Sequence, residues 1–220
     1  MIYNGLYNNT WERSAVTFPW VYWDDMFTNT ELDNIVSYCE NAGLERSTIL
    51  GNVSSEDTEK IRKCDVKFHN KTSETSWIFN RINDVILKIN SMYYGFDLNG
   101  YDSFQYTSYN SAEKGNYNWH MDTCLGDREL PSDMPQPRKL SMSLLLNDPD
   151  KDYDGGEFQI NMGMEAKAQS LPFKRGRAVF FSSWLIHRVT PVTKGFRKSD
   201  RKSTRLNSSH SQQSRMPSSA

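Results

Sequence analysis

His120-Met121-Asp122, followed far downstream by His187, is a spacing in this chain that could hold a reactive metal. On a strand, side chains at i and i+2 share a face, so His120 and Asp122 are expected to project together. His187, arriving from a distant strand, would complete two imidazoles and one carboxylate on one side of an ion. That facial arrangement leaves coordination positions open on the far side, as non-haem Fe(II) oxygen chemistry requires. Ten residues beyond His187 stands Arg197, across Pro191 and Lys194-Gly195, where the chain can reverse. A reversal would set Arg197 beside His187 on a neighbouring strand. A guanidinium beside such a site suits bidentate capture of a carboxylate, with Ser199 two residues on as a second donor on the same face.

The elements that must carry these residues can be read from periodicity. Residues 16–27 are aromatic-rich and fit an opening strand. Thr28 followed by Glu31 fits a capping box, and Leu32, Ile35, Val36 and Cys39 then fall at helical spacing. Residues 42–60 are polar and Gly-containing and are expected to be loop. Cys64, Val66 and Phe68 alternate with Asp65 and Lys67, a short strand pattern. From Trp77, Ile78, Ile82, Val85, Ile86 and Ile89 mark the longest amphipathic helix, and Asn99-Gly100 signals a turn after it. Short strands then follow at 103–109, 117–122, 139–146, 157–160, 177–181 and 186–192. The linkers between them are rich in Gly and Pro. Helices first and a strand-rich remainder describe helices laid on one face of a β barrel or sandwich.

Composition bounds the rest. The 220 residues are 37% hydrophobic with 6 Trp, 11 Tyr and 11 Phe, which excludes a chain disordered throughout. No apolar run approaches the roughly 20 residues of a membrane helix. The N-terminus lacks the pattern of a secretory signal. Three cysteines without a C-x-x-C argue against a disulfide framework or a zinc ribbon, so a reduced, cytoplasmic protein is expected. Residues 1–199 carry 22 basic against 26 acidic side chains, not the basic face of a nucleic-acid binder.

Four stretches in order, FQYTSYNSAEKGNYNWHMD, RKLSMSLLLND, YDGGEF and LPFKRGRAVFFSSWLIHRVTPVTKGFRKS, give the chain a resemblance over roughly residues 100–199. They resemble the Fe(II)/2-oxoglutarate dioxygenase superfamily, in its prolyl-4-hydroxylase-like branch of bacterial and phage type. The resemblance implies an α+β, mainly β fold: a double-stranded β-helix (jelly-roll) barrel with N-terminal helices packed on one sheet. It implies His120, Asp122 and His187 as iron ligands and catalytic centre, and Arg197 on the distal carboxylate of 2-oxoglutarate. Tyr109 resembles a tyrosine lining the co-substrate pocket, though it sits about two residues further from His120 than in the usual pattern. Tyr117, three before His120, matches a common family position and reads equally well as core packing. Many relatives carry another tyrosine where Leu144, Leu145 and Leu146 stand here, so that contact must be missing or supplied from elsewhere. Gly155-Gly156 reads as a tight strand entry rather than a phosphate loop. Trp119 and Trp184 read as packing, and Cys124 as unliganded.

The activity implied is Fe(II)-, 2-oxoglutarate- and O2-dependent hydroxylation of an unactivated C–H bond, with succinate and CO2 as co-products and L-ascorbate as reductant. The substrate implied is a prolyl or other amino-acid residue of a peptide or protein. The alternatives are a free small molecule or nucleobase, or a truncated, inactive barrel that only binds. Neither a nucleic-acid nor a membrane partner is expected. Specificity would lie in loops such as 41–60 and 124–137. Finally, residues 200–220 resemble an in-frame translation of a sequencing adapter, so a single domain over 1–199 followed by a non-native, disordered tail is expected. Asp200 to Arg205 places four charged residues in six, and such a segment should be unable to take a central strand. The barrel edge beside Arg197 should then be open.

Overall fold

The computed structural model describes residues 18–48, 54–98, 100, 103–123, 138–163 and 168–205. Strand β1 (Trp20–Trp23) leads into helix α1 (Asn29–Asn41). The Thr28 hydroxyl accepts from the Glu31 amide, and the Thr28 amide donates to the Glu31 carboxylate at 2.8 Å, closing the capping box. Leu32, Ile35 and Cys39 are buried from this helix, as their spacing requires. Then come β2 (Glu45–Arg46), α2 (Ser55–Ile61), β3 (Arg62–Lys63), β4 (Asp65–His69) and α3 (Ser76–Ile89), which ends in a π-turn over Asn90–Tyr94. Helix α2 stands where a loop was expected. Its signal is a cap, Ser54 accepting from the Asp57 amide at 3.1 Å, rather than an apolar period. In β4 the buried face changes phase: Cys64 and Val66 point inward, but Phe68 is exposed and His69 buried. Asn99 of the expected turn lies outside the described residues.

The strands that follow are β5 (Phe104–Asn110), β6 (Asn116–His120), β7 (Arg138–Leu145), β8 (Tyr153–Gly155) and β9 (Phe158–Asn161). The last four are β10 (Gln169–Ser170), β11 (Ala178–Ser182), β12 (Ile186–Val189) and β13 (Val192–Arg205). They form two antiparallel sheets. The larger runs β1-β11-β7-β13-β5-β4-β2, with β8 beside β13, and the smaller runs β10-β9-β12-β6-β3.

Strand alternation divides the larger sheet between two cores. Ala178 and Phe180 of β11, with Leu140, Met142 and Leu144 of β7, pack on α1 and α3. Val179 and Phe181, together with Leu145, face between the sheets toward Phe158, Ile160 and Val189. The helices thus cover one face of the larger sheet, and the smaller sheet closes over the other. The fold is the jelly-roll expected. The two helices on the larger sheet, α1 and α3, are 13 and 14 residues long, and no described helix is long and apolar enough to cross a membrane.

Two expectations about topology are corrected. First, β12 lies in the smaller sheet and β13 in the larger. The bend near Pro191 therefore carries the chain across the barrel, and Arg197 faces the site from the opposite sheet rather than from beside His187. Second, Asp200 to Arg205 does take a central strand position. Residues 199–205 of β13 pair with β7, and 196–201 pair with β5 on the other side. The edge beside Arg197 is closed. Asp200 is fully buried on the helical face, and Arg201, facing the barrel, is neutralised by Asp122. The ion pair offsets part of the cost of burying Arg201, whereas an unpaired charge there would be strongly destabilising. Residues 206–220 lie outside the described residues.

Candidate active site

The hairpin from β5 to β6 sets the first two site residues. Gly115 sits against Asn110, where an added Cβ would lie 2.7 Å from the Asn110 backbone nitrogen, so the turn cannot carry a larger residue without shifting. From there β6 delivers Tyr117 and ends at His120. Asp122 lies just past the strand rather than on it. Its backbone is held from two sides: its amide donates to the Ser183 carbonyl at 2.8 Å, and its carbonyl accepts from Arg138 Nη1 at 3.2 Å. His187 on β12 is directly opposite His120 in the pairing register.

These three side chains converge. Their ligand atoms lie within 4.8 Å of one another, and the Nε2 atoms of His120 and His187 each stand 3.5 Å from Asp122 Oδ1. The ring Nδ1 of His120 is 2.8 Å from the Asn118 carbonyl, and that of His187 is 2.8 Å from the Leu185 carbonyl. A carbonyl only accepts, so each Nδ1 carries the proton and each Nε2 presents a lone pair to the cluster. Burial pushes the His187 imidazole down to about 4. Burial, then the neighbouring His187 and Arg201, holds His120 well below the usual histidine range. Both rings are neutral near pH 7, the state a metal needs. His120 Nε2 is buried without a hydrogen-bond partner. Two neutral imidazole nitrogens and a carboxylate converging on one point form the donor set of a facial triad, and an Fe(II) ion fits it. Phe158 and Phe181 wall the His187 ring at 5.4 and 4.7 Å between centroids.

Across the barrel, Arg197 is 1% exposed and pairs in register with Tyr109. Its Nη1 donates to Ser199 Oγ at 2.8 Å, and its guanidinium carbon lies 5.4 Å from the Tyr109 ring centre. Ser199 is thus an acceptor for Arg197, with its own hydroxyl proton left to give. Arg197 Nε is buried without a hydrogen-bond partner. Among the described residues no carboxylate comes within 4.0 Å of the guanidinium. A buried, uncompensated cation is costly, and an anionic guest with a planar carboxylate would compensate it.

One member of this pocket was not singled out from sequence. Tyr153 of β8 is 4% exposed; burial raises its phenol pKa, and the neighbouring Arg197 partly offsets that rise. The clue was in YDGGEF, where Tyr153 precedes the glycine pair. Gly156 has φ +61°, and a Cβ there would meet Arg197 Cδ at 2.9 Å. The glycine therefore makes room for the arginine stem, a stronger reason than strand entry alone. Tyr117 stacks on His120 with 3.5 Å between ring centroids, which places it in the site rather than in the distant core. Trp119 stacks under Arg188 and Trp184 against Phe96, both as packing. Cys124 lies outside the described residues, as does the 124–137 loop.

Arg201 donates from Nε to Asp122 Oδ2 at 3.1 Å, and its Nη2 contacts Asp122 Oδ1. The guanidinium therefore occupies the carboxylate that a metal would use. Replacing Arg201 by leucine is expected to tighten Fe(II) binding about tenfold. That corresponds to ~1.4 kcal/mol, at the low end for a charged hydrogen bond. An anaerobic Fe(II) titration of both proteins measures it. Weaker binding in the variant would show instead that Arg201 orients Asp122 for the metal.

Residues 104–207 match the family model of the 2OG-Fe(II) oxygenase superfamily. A PKHD-type hydroxylase of Teredinibacter turnerae is 39% identical over 83 residues, covering 38% of this chain and 34% of that protein. One from Nitrosomonas europaea is 39% identical over 88 residues, covering 40% and 37%. The matched stretch thus spans about a third of the length of these curated relatives. Among solved structures, a Pseudomonas putida prolyl-4-hydroxylase superposes at a TM-score of 0.64 and 18% identity, over 87% of this chain and 95% of its own. The viral collagen prolyl hydroxylase of Paramecium bursaria Chlorella virus-1 superposes at 0.65 and 16%, over 86% and 97%. Residues 104–207 thus match the 2OG-Fe(II) oxygenase superfamily, and the fold is shared with these prolyl hydroxylase structures.

Proposed function

We propose that this protein is an Fe(II)- and 2-oxoglutarate-dependent hydroxylase acting on a prolyl or other amino-acid residue of a peptide or protein. The observation that carries the reading is the pairing of two buried sites across one barrel: the His120–Asp122–His187 cluster and an uncompensated Arg197. His120, Asp122 and His187 would hold the iron. When bound, iron and 2-oxoglutarate supply the oxidation, in which O2 is consumed, the co-substrate is decarboxylated to succinate and CO2, and a C–H bond becomes C–OH.

The chain's own groups supply geometry and exclusion. The Asn118 and Leu185 carbonyls keep both imidazoles in the metal-binding tautomer. Phe158 and Phe181 keep water from one side of His187. Arg197 receives the distal carboxylate of 2-oxoglutarate in its fork, held in place by Ser199. Burial, the largest effect, together with Cys64 pushes the Tyr109 phenol well above its usual range, so it stays protonated and able to donate. L-ascorbate is proposed as the reductant that restores Fe(II), and the cytoplasm as the compartment.

Tyr153 belongs to this reading as the phenol that completes the carboxylate pocket. Tyr153→Phe is expected to weaken 2-oxoglutarate binding about tenfold, as loss of one hydrogen bond to a charged group implies. Fe(II) affinity and melting temperature should stay near those of the parent. An unchanged 2-oxoglutarate dissociation constant would remove Tyr153 from the pocket. The function itself is tested by following 2-oxoglutarate conversion to succinate against a library of proline-containing peptides. Peptide-dependent turnover with a mass gain of one oxygen is expected. Oxidation of a free small molecule or nucleobase with no peptide oxidised would contradict the peptide assignment.

A further inference from the structure

A second buried arginine is left over once the iron and the co-substrate have their residues. Arg62, on β3 at the edge of the smaller sheet, is 6% exposed and pairs in register with Tyr117. Its guanidinium carbon stands 4.7 Å from the Tyr117 ring centre, and that ring stacks in turn on His120. Arg62, Tyr117 and His120 thus form a layered column ending at the metal cluster. The hydrogen bond that holds Arg62 runs from Nε to Cys64 Sγ at 3.1 Å, and a thiol is a weak acceptor. Among the described residues no carboxylate comes within 4.0 Å of it. The nearby acid, Asp122, is already engaged by Arg201.

A guanidinium buried to this degree with a ring face and a thiol for company lacks its natural counter-ion. Its ring contact fixes the plane of the fork, and its remaining donors are preorganised for a planar acceptor. Arg197, on the facing sheet, is already assigned to the co-substrate, which leaves Arg62 for a second guest. We infer that Arg62 binds a carboxylate of the molecule being hydroxylated, so that the substrate is an acid whose carboxylate lies near the oxidised C–H bond. This rests on the co-substrate reading of Arg197. The carboxylate is either the C-terminal α-carboxylate of a peptide, which a free amino acid mimics, or the side chain of an acidic residue, and the experiment separates these.

The Fe(II)-loaded protein is titrated anaerobically, first with 2-oxoglutarate and then with each of the twenty free amino acids and each N-acetyl amino-acid amide, followed by tryptophan fluorescence. If the first titration shows no 2-oxoglutarate binding, the co-substrate reading fails before Arg62 is tested, and the inference falls with it. Given that binding, at least one carboxylate-bearing compound should bind ten times more tightly than its counterpart without that carboxylate. Preference for free acids identifies the α-carboxylate. Preference for the amides of Asp or Glu over those of Asn or Gln identifies the side chain. Arg62→Gln should abolish the preference while the 2-oxoglutarate dissociation constant stays within twofold. Arg62→Lys, which keeps the charge but not the fork, should retain part of it, and serves alone if the glutamine variant does not fold. The inference is overturned by no preference in the parent, by a preference that survives in Arg62→Gln (or, if that variant does not fold, undiminished in Arg62→Lys), or by loss of 2-oxoglutarate binding in either variant.

Discussion

Asp122→Ala is expected to abolish stoichiometric Fe(II) binding and, with it, succinate formation. The carboxylate stands 3.5 Å from both imidazole Nε2 atoms and is the one anionic member of the cluster. Changes to groups that merely orient metal ligands already cost 10–100-fold in affinity. Loss of the carboxylate itself should therefore exceed about 100-fold. The fold should persist. Asp122 is anchored through its backbone to Ser183 and Arg138, and those bonds do not need its side chain. Removing the carboxylate does leave Arg201 without its partner, so Asp122→Ala combined with Arg201→Leu serves as the control for folding. Equilibrium dialysis against Fe(II), with thermal melting alongside, reads both effects. Normal turnover of 2-oxoglutarate by either variant would mean that the cluster is not the metal site.

Arg197→Lys is expected to weaken 2-oxoglutarate binding by roughly 30-fold, about 2 kcal/mol, within the range for hydrogen bonds to charged groups. An ammonium can reproduce the charge but not the fork that reaches a carboxylate while also bonding Ser199. Fe(II) affinity should change less than about twofold, because Arg197 comes from the opposite sheet and its hydrogen bond goes to Ser199. Titration with 2-oxoglutarate under anaerobic conditions separates the two affinities. Equal 2-oxoglutarate binding by the lysine variant would take Arg197 out of the pocket.

What could be read from sequence and what could not divides along physical lines. The cluster was legible because its chemistry is local in part: H-x-D brings two ligands within three residues, and His187 needed only a strand to carry it. Helices α1 and α3 were legible from their apolar period and from the Thr28–Glu31 cap, whereas α2, which has a cap but no apolar period, was not. The jelly-roll was legible from the four family-like stretches. Partner strands were not, since pairing across a barrel depends on contacts far apart in the chain. Arg197 was therefore placed beside His187 when it stands on the facing sheet.

Arg62 and Tyr153 escaped notice for a related reason. They sit on strands of two and three residues, too short for any alternation to show. Burial of charge is not visible in a linear pattern either. Asp200 and Arg201 looked unfit for a sheet interior until Asp122 supplied a partner for the arginine.

The most direct test of the account is optical. Fe(II) and then 2-oxoglutarate are added to the protein without oxygen, and the visible spectrum is recorded. Chelation of the metal by the 2-oxo acid should produce a charge-transfer band that saturates at one equivalent of each. The band should be absent in Asp122→Ala and should need far more 2-oxoglutarate in Arg197→Lys. Absence of any band in the parent protein at saturating metal and co-substrate would contradict the assignment of this barrel as an Fe(II)/2-oxoglutarate site.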